Sequence, residues 1–167
     1  MRRAIPMLVF LMLTACSSLS PTGKLKPDVS NEQDVVALLG QPAHTWQNPN
    51  GSRTLDYTRQ PNGTKSRFIT LYANGKVEKI EDALDDERRN SVTPGMTPQD
   101  VIRILGEPGV KEHVPLTASE MWTWYFGNNN RHSGNAFQVR FTDGVVEKAE
   151  MLMRTSEDIC KDASCMD

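Results

Sequence analysis

Asp34-Val-Val-Ala-Leu-Leu-Gly-Gln-Pro42 returns 66 residues on as Asp100-Val-Ile-Arg-Ile-Leu-Gly-Glu-Pro108. Each copy leads into an aromatic segment, Leu55-Asp56-Tyr57 in the first and Trp122-Thr123-Trp124 in the second. A matching hairpin then follows each. These are Phe68-Ile-Thr-Leu-Tyr-Ala-Asn-Gly-Lys-Val-Glu-Lys-Ile80 and Phe137-Gln-Val-Arg-Phe-Thr-Asp-Gly-Val-Val-Glu-Lys-Ala149, now offset by 69. Helix, strand and hairpin recurring in one order mark a tandem repeat of a small structural unit, with the offset drifting in loops.

Local chemistry turns this repeat into elements. Val35, Val36, Leu38 and Leu39 form an apolar stripe at helical spacing, as do Val101, Ile102, Ile104 and Leu105. Ser30 with Gln33 reads as the capping box of the first helix, and Thr97 with Pro98 at the first helical position opens the second. Gly40 and Gly106 are expected as left-handed caps, with Pro42 and Pro108 as the stops. The charged stretch 82–90 reads as a short helix leading into the second unit. Asn74-Gly75 and Asp143-Gly144 are read as two-residue turns that accept positive φ, so each unit should hold a tight antiparallel hairpin. Helices on one face of a sheet of three or four antiparallel strands place each unit in the α+β class.

Strand alternation assigns faces. With Phe68, Thr70 and Tyr72 aligned on Phe137, Val139 and Phe141, those rows should point to the helix-covered core. Ile69 and Leu71 would then face outward, where the second unit carries Gln138 and Arg140. That apolar pair is a candidate interface, toward the other unit or an external partner. Met121 and Tyr125 fall outward on the aromatic strand, while Trp122 and Trp124 point to the core. Trp46, after the first helix, has no parity to place it and is a further candidate contact.

The N-terminus carries an address. Arg2 and Arg3 precede an apolar run over 4–13, followed by Leu13-Thr14-Ala15-Cys16. The run is shorter than the roughly 20 apolar residues a spanning helix needs. The pattern resembles a bacterial lipoprotein signal, which implies cleavage after residue 15 and acylation of Cys16, with outer-membrane lipid as its first partner. Ser17 in place of Asp implies outer-membrane rather than inner-membrane retention. Residues 16–29, with Pro21, Gly23 and Pro27, read as a lipidated tether. Units one and two are bounded at 30–82 and 83–155, and 156–167 form a polar tail. In an oxidising envelope Cys160 and Cys165 are expected as a disulfide, with free thiols as the alternative; two thiols without nearby His or Cys cannot complete a tetrahedral zinc site.

Chemistry is sparse elsewhere. The net charge of −2, which becomes more negative once Arg2 and Arg3 are removed, offers no electrostatic case for nucleic acid. His44, His113 and His132 fall in stretches read as loops and form no ligand-spaced pair. Asn62-Gly63-Thr64-Lys65 lacks the glycine spacing of a phosphate loop and reads as a turn. Asp85, Asp86 and Glu87 next to Arg88 and Arg89 read as a solvated helix face rather than a calcium site. The expectation is a chain without catalytic residues, metal or cofactor.

Gly95-Met96-Thr97-Pro98-Gln99-Asp100-Val101, the Leu105-Gly106-Glu107-Pro108 stop, Trp122-Thr123-Trp124-Tyr125 and the hairpin from Phe137 together resemble the BamE (SmpA/OmlA) domain family. The first unit matches less well, with Val29-Ser30-Asn31 in place of the Gly-Met-Thr opening. The resemblance implies small outer-membrane lipoproteins of the β-barrel assembly machinery with an ααβββ fold. It points to a protein-binding accessory or scaffold with barrel-assembly subunits as partners. The tandem is also similar to the β-lactamase inhibitory protein, which implies the alternative of an inhibitor or modulator of an envelope hydrolase.

Overall fold

The structure, a computed structural model, describes residues 21–60, 66–126 and 135–153. It is an α+β fold of two repeated modules. Module one runs α1 (Glu32–Leu39), β1 (His44–Gln47), β2 (Arg53–Tyr57), β3 (Arg67–Leu71) and β4 (Val77–Asp82). After α2 (Asp86–Asn90), module two runs α3 (Pro98–Leu105), β5 (Val110–Val114), β6 (Ser119–Phe126), β7 (Asn135–Thr142) and β8 (Val145–Met153). The strands form two separate four-stranded antiparallel meanders, β1-β2-β3-β4 (sheet one) and β5-β6-β7-β8 (sheet two).

Both long helices open on the same device, shifted in module one by a residue from the expected cap. Ser30 spends its hydroxyl on the Lys26 amide (3.0 Å), so Asn31 caps α1 instead. Its side chain accepts from the Gln33 and Asp34 amides, and Asp34 accepts back from the Asn31 amide at 2.9 Å. Thr97 and Asp100 repeat this reciprocal pair at α3, with Pro98 inside the first turn as expected. Such a box contributes about 1 kcal/mol per helix end. The stops also repeat. Gly40 (φ 81, ψ −166) and Gly106 (φ 75, ψ −172) have the positive φ expected of them, but their ψ lies in the extended glycine-only region rather than the left-handed helical one. That geometry aims each glycine carbonyl at an aromatic donor on the second strand. Tyr57 Oη donates to the Gly40 carbonyl at 2.9 Å, and Trp124 Nε1 to the Gly106 carbonyl at 3.0 Å.

The hairpins differ by one residue, and this reverses the expected faces of module one. Asp143 (φ 52) and Gly144 (φ 78) form a two-residue turn between the paired Thr142 and Val145. In module one the loop holds three residues. The Tyr72 amide bonds the Lys76 carbonyl, the Gly75 amide bonds the Tyr72 carbonyl, and only Gly75 of the loop has positive φ. Each β4/β8 strand then bulges at its glutamate, Glu78 or Glu147, as the partner register skips it. Ile69 therefore sits beside Leu55 as Val139 sits beside Trp122, and Leu71 corresponds to Phe141. A slip of one residue sends a strand's side chains to the other face.

Ile69 and Leu71 are accordingly 0% exposed. They pack with Leu25, Val35, Leu55 and Val77 beneath α1. Tyr72, expected inside, is 38% exposed. Leu25, in the stretch read as tether, belongs to this core, and the chain behind it is stitched to β4 by Asp28 and Ser30 bonds to Val77. The core of module two holds Val101, Leu105, Trp122, Trp124, Val139 and Phe141, with Trp122 and Trp124 inside as expected.

The layers run α1, sheet one, α2 with α3, sheet two. Phe68 and Thr70 lie on the face of sheet one away from α1, and both are nonetheless buried. Arg88 of α2 stacks its guanidinium 4.7 Å above the Phe68 ring and binds Glu81 and the Ile104 carbonyl. Burial on both faces removes the alternation from β3, where Phe68, Ile69, Thr70 and Leu71 are all enclosed.

Candidate functional site

Two regions could carry function: the joint between the modules and the outer face of sheet two. The joint begins at β1, a short strand of alternating half-buried and exposed residues whose polar sequence made it read as loop. His44 and Trp46 project toward module two. Their rings stack 5.0 Å apart at 21°, and Trp46 packs against the module-two core while Arg103 of α3 lies 5.9 Å over it. Arg103 also donates to the Gln47 carbonyl at 3.1 Å. Trp46 is thus an intramolecular contact. His44 Nε2 lies 3.1 Å from Glu107 Oε1, just beyond α3, and Glu107 also pairs with Lys111 at 3.1 Å. Burial alone would raise the Glu107 carboxyl, but the hydrogen bonds from Lys111 and His44 outweigh it and hold it below its ordinary value.

Opposite His44 in the β1–β2 register stands Asp56, 0% exposed. Its Oδ1 accepts from the Thr58 amide at 2.8 Å and from the Thr58 hydroxyl. Its Oδ2 is buried without a partner among the described residues. Burial pushes the Asp56 carboxyl above its ordinary pKa of 3.8 despite these bonds and the nearby His44. The end of α3 presses on this pair. A β-carbon at Gly106 would stand 2.9 Å from Thr58 Cβ, nearer still to its hydroxyl, and 3.1 Å from Asp56 Oδ1. Further along, the Gln60 amide takes the place of a neighbouring strand on β6, donating to the Tyr125 carbonyl (2.6 Å) and accepting from the Tyr125 amide (3.1 Å).

The outer face of sheet two bears Met121 and Tyr125, both half-buried, on the strand face opposite Trp122 and Trp124. Arg140 stands directly across from Met121, and Gln138, across from Thr123, donates to its hydroxyl at 3.1 Å. Arg140 Nε is buried with no acceptor among the described residues. Among the described residues every helix lies on the other side of this sheet.

The remaining sequence-derived sites divide cleanly. Ile69 and Leu71 are core and supply no surface. Cys16, Cys160, Cys165, His132 and the stretch Asn62–Lys65 read as a turn lie outside the described residues. His113, read as loop, stands on β5, and Asp85 caps α2 by accepting from the Arg88 amide at 2.9 Å. The Asp56 joint was missed, although a visible sign existed: an aspartate between two core residues where the repeat has Thr123.

No family model and no curated protein matches the chain. Among solved structures, it is similar to a protein of Streptococcus mutans described as a "putative beta-lactamase inhibitor protein", with 14% identity and a TM-score of 0.33 over 74% of this chain and 82% of the other. It is also similar to a DUF4309 family protein of Bacillus subtilis, with 16% identity and a TM-score of 0.31 over 81% and 86%. Neither similarity is close enough to bear on what this chain does.

Proposed function

We propose that this chain is a non-catalytic, lipid-anchored protein of the outer membrane that faces the periplasm and binds another protein through the outer face of sheet two. The observation that carries the binding reading is that face. A methionine and an arginine, Met121 and Arg140, stand directly across from each other on neighbouring strands of that face, with Tyr125 further along the same strand as Met121. Met, Tyr and Arg are enriched where protein surfaces meet. The anchor rests on the Leu-Thr-Ala-Cys16 signal, and an accessory or scaffold role in outer-membrane biogenesis rests on the BamE-like motifs alone.

Affinity capture from solubilised envelopes, with parent and Met121→Ser/Arg140→Ser proteins side by side, tests it. Removal of central contacts worth about 2 kcal/mol or more should cut partner recovery at least about tenfold. Melting of the free protein should change little. Barrel-assembly subunits as the partner lost would support the scaffold role. A single hydrolase whose turnover falls on binding would point to an inhibitor instead. Equal recovery by both proteins would exclude this face.

A further inference from the structure

A carboxylate that loses its water on contact becomes a proton sensor for that contact, because the buried form favours the neutral acid. Asp56 meets this condition at the seam between modules. It is fully enclosed, Oδ2 has no partner among the described residues, and the Gly106 end of α3 closes over it. The groups around it are few. β1 brings His44, the segment after α3 brings Glu107 with its Lys111 partner from β5, and β3 opposes it with uncharged Phe68. Arg88 and Arg103 are directed to Phe68 and Trp46. We infer that the joint is a proton-operated latch, in which Asp56 takes up a proton when module two closes on module one and gives it up when the modules part.

The sign follows from the burial. Parting the modules admits water to Asp56 and returns it toward its ordinary pKa of 3.8, so the closed form binds the proton more tightly. The Asp56 contribution to closure is therefore strongest in acid. It weakens as pH climbs from the ordinary to the raised value, by up to about tenfold per pH unit for one proton, and is level above it. Glu107, held below its ordinary value in part by His44, works against this at the acid end, because protonating its carboxyl gives up that cross-module contact.

Hydrogen exchange on the intact protein from about pH 4 to about pH 8, corrected for intrinsic exchange, reads this directly. Protection of 58–60 and 104–107 is measured relative to the central strand β7. In the parent this ratio should fall with pH and then level. Asp56→Asn should hold it high and flat, and His44→Gln should leave a slope in place. Should Asp56→Asn fold poorly, Asp56→Thr, which copies Thr123 of module two, serves the same purpose. A parent ratio that does not change with pH overturns the latch. So does a folded Asp56 variant with the parental slope.

Discussion

The two cap glycines offer a matched experiment, because they share one backbone conformation and differ in what surrounds them. At Gly40 an added β-carbon meets nothing within 4 Å among the described residues; at Gly106 it meets Thr58 and Asp56 of the other module. Alanine at either site must hold a glycine-only φ/ψ, a strain of about 1–3 kcal/mol. At Gly106 the overlap with Thr58 adds an overpacking cost of about 1–3 kcal/mol. For a chain of this size about 1 kcal/mol lowers the melting temperature by about 2–4 °C. Gly40→Ala should thus melt roughly 3–10 °C below the parent and Gly106→Ala about twice as far below. Calorimetry of Gly106→Ala, Thr58→Gly and the pair completes the reasoning. The double variant should be less destabilised than the sum of its parts, since Thr58→Gly removes the atoms in the way. Equal losses at Gly40 and Gly106, or strict additivity of the pair, would refute a cross-module clash.

Two other outcomes are expected. Cys16→Ser should leave an unlipidated, uncleaved precursor, because acyl transfer requires the thiol; metabolic lipid labelling and the shift in mobility check this. The double change Ile69→Gln/Leu71→Arg, which would be mild on a surface, should prevent module one from folding. It buries an unpaired charge and strips two enclosed side chains, at about 2–5 kcal/mol each; parental circular dichroism and melting would contradict the assigned strand faces.

Features set by neighbouring residues were legible in the sequence. Thr97, Pro98 and the two cap glycines act within one helical turn, so helix positions and the paired architecture could be read from them. What required long-range knowledge was misread. One residue in the 73–75 loop shifted the hairpin alignment and exchanged inside for outside across β3. β1 and β5 are hard to read because short edge strands of mostly polar residues show no apolar alternation in sequence, although the burial of β1 does alternate. Asn31 and Asp34 align with Thr97 and Asp100 at the same spacing as the helices, so the repeat itself held the correct cap that Ser30 obscured. The joint lay beyond reach for another reason: His44, Asp56, Gly106 and Glu107 are brought together only by the stacking of two modules.

That stacking is unequal. α1 serves only sheet one, whereas α2 and α3 lie between both sheets, so module two supplies the roof for its neighbour. A ribosome makes the chain from the N-terminus, and Phe68 and Asp56 emerge well before Arg88 and Gly106 that cover them. Until α3 arrives, the first half has a finished underside and a bare upper one. Completion of the earlier module is therefore written into the later one, and the two copies, alike in pattern, are not interchangeable in order.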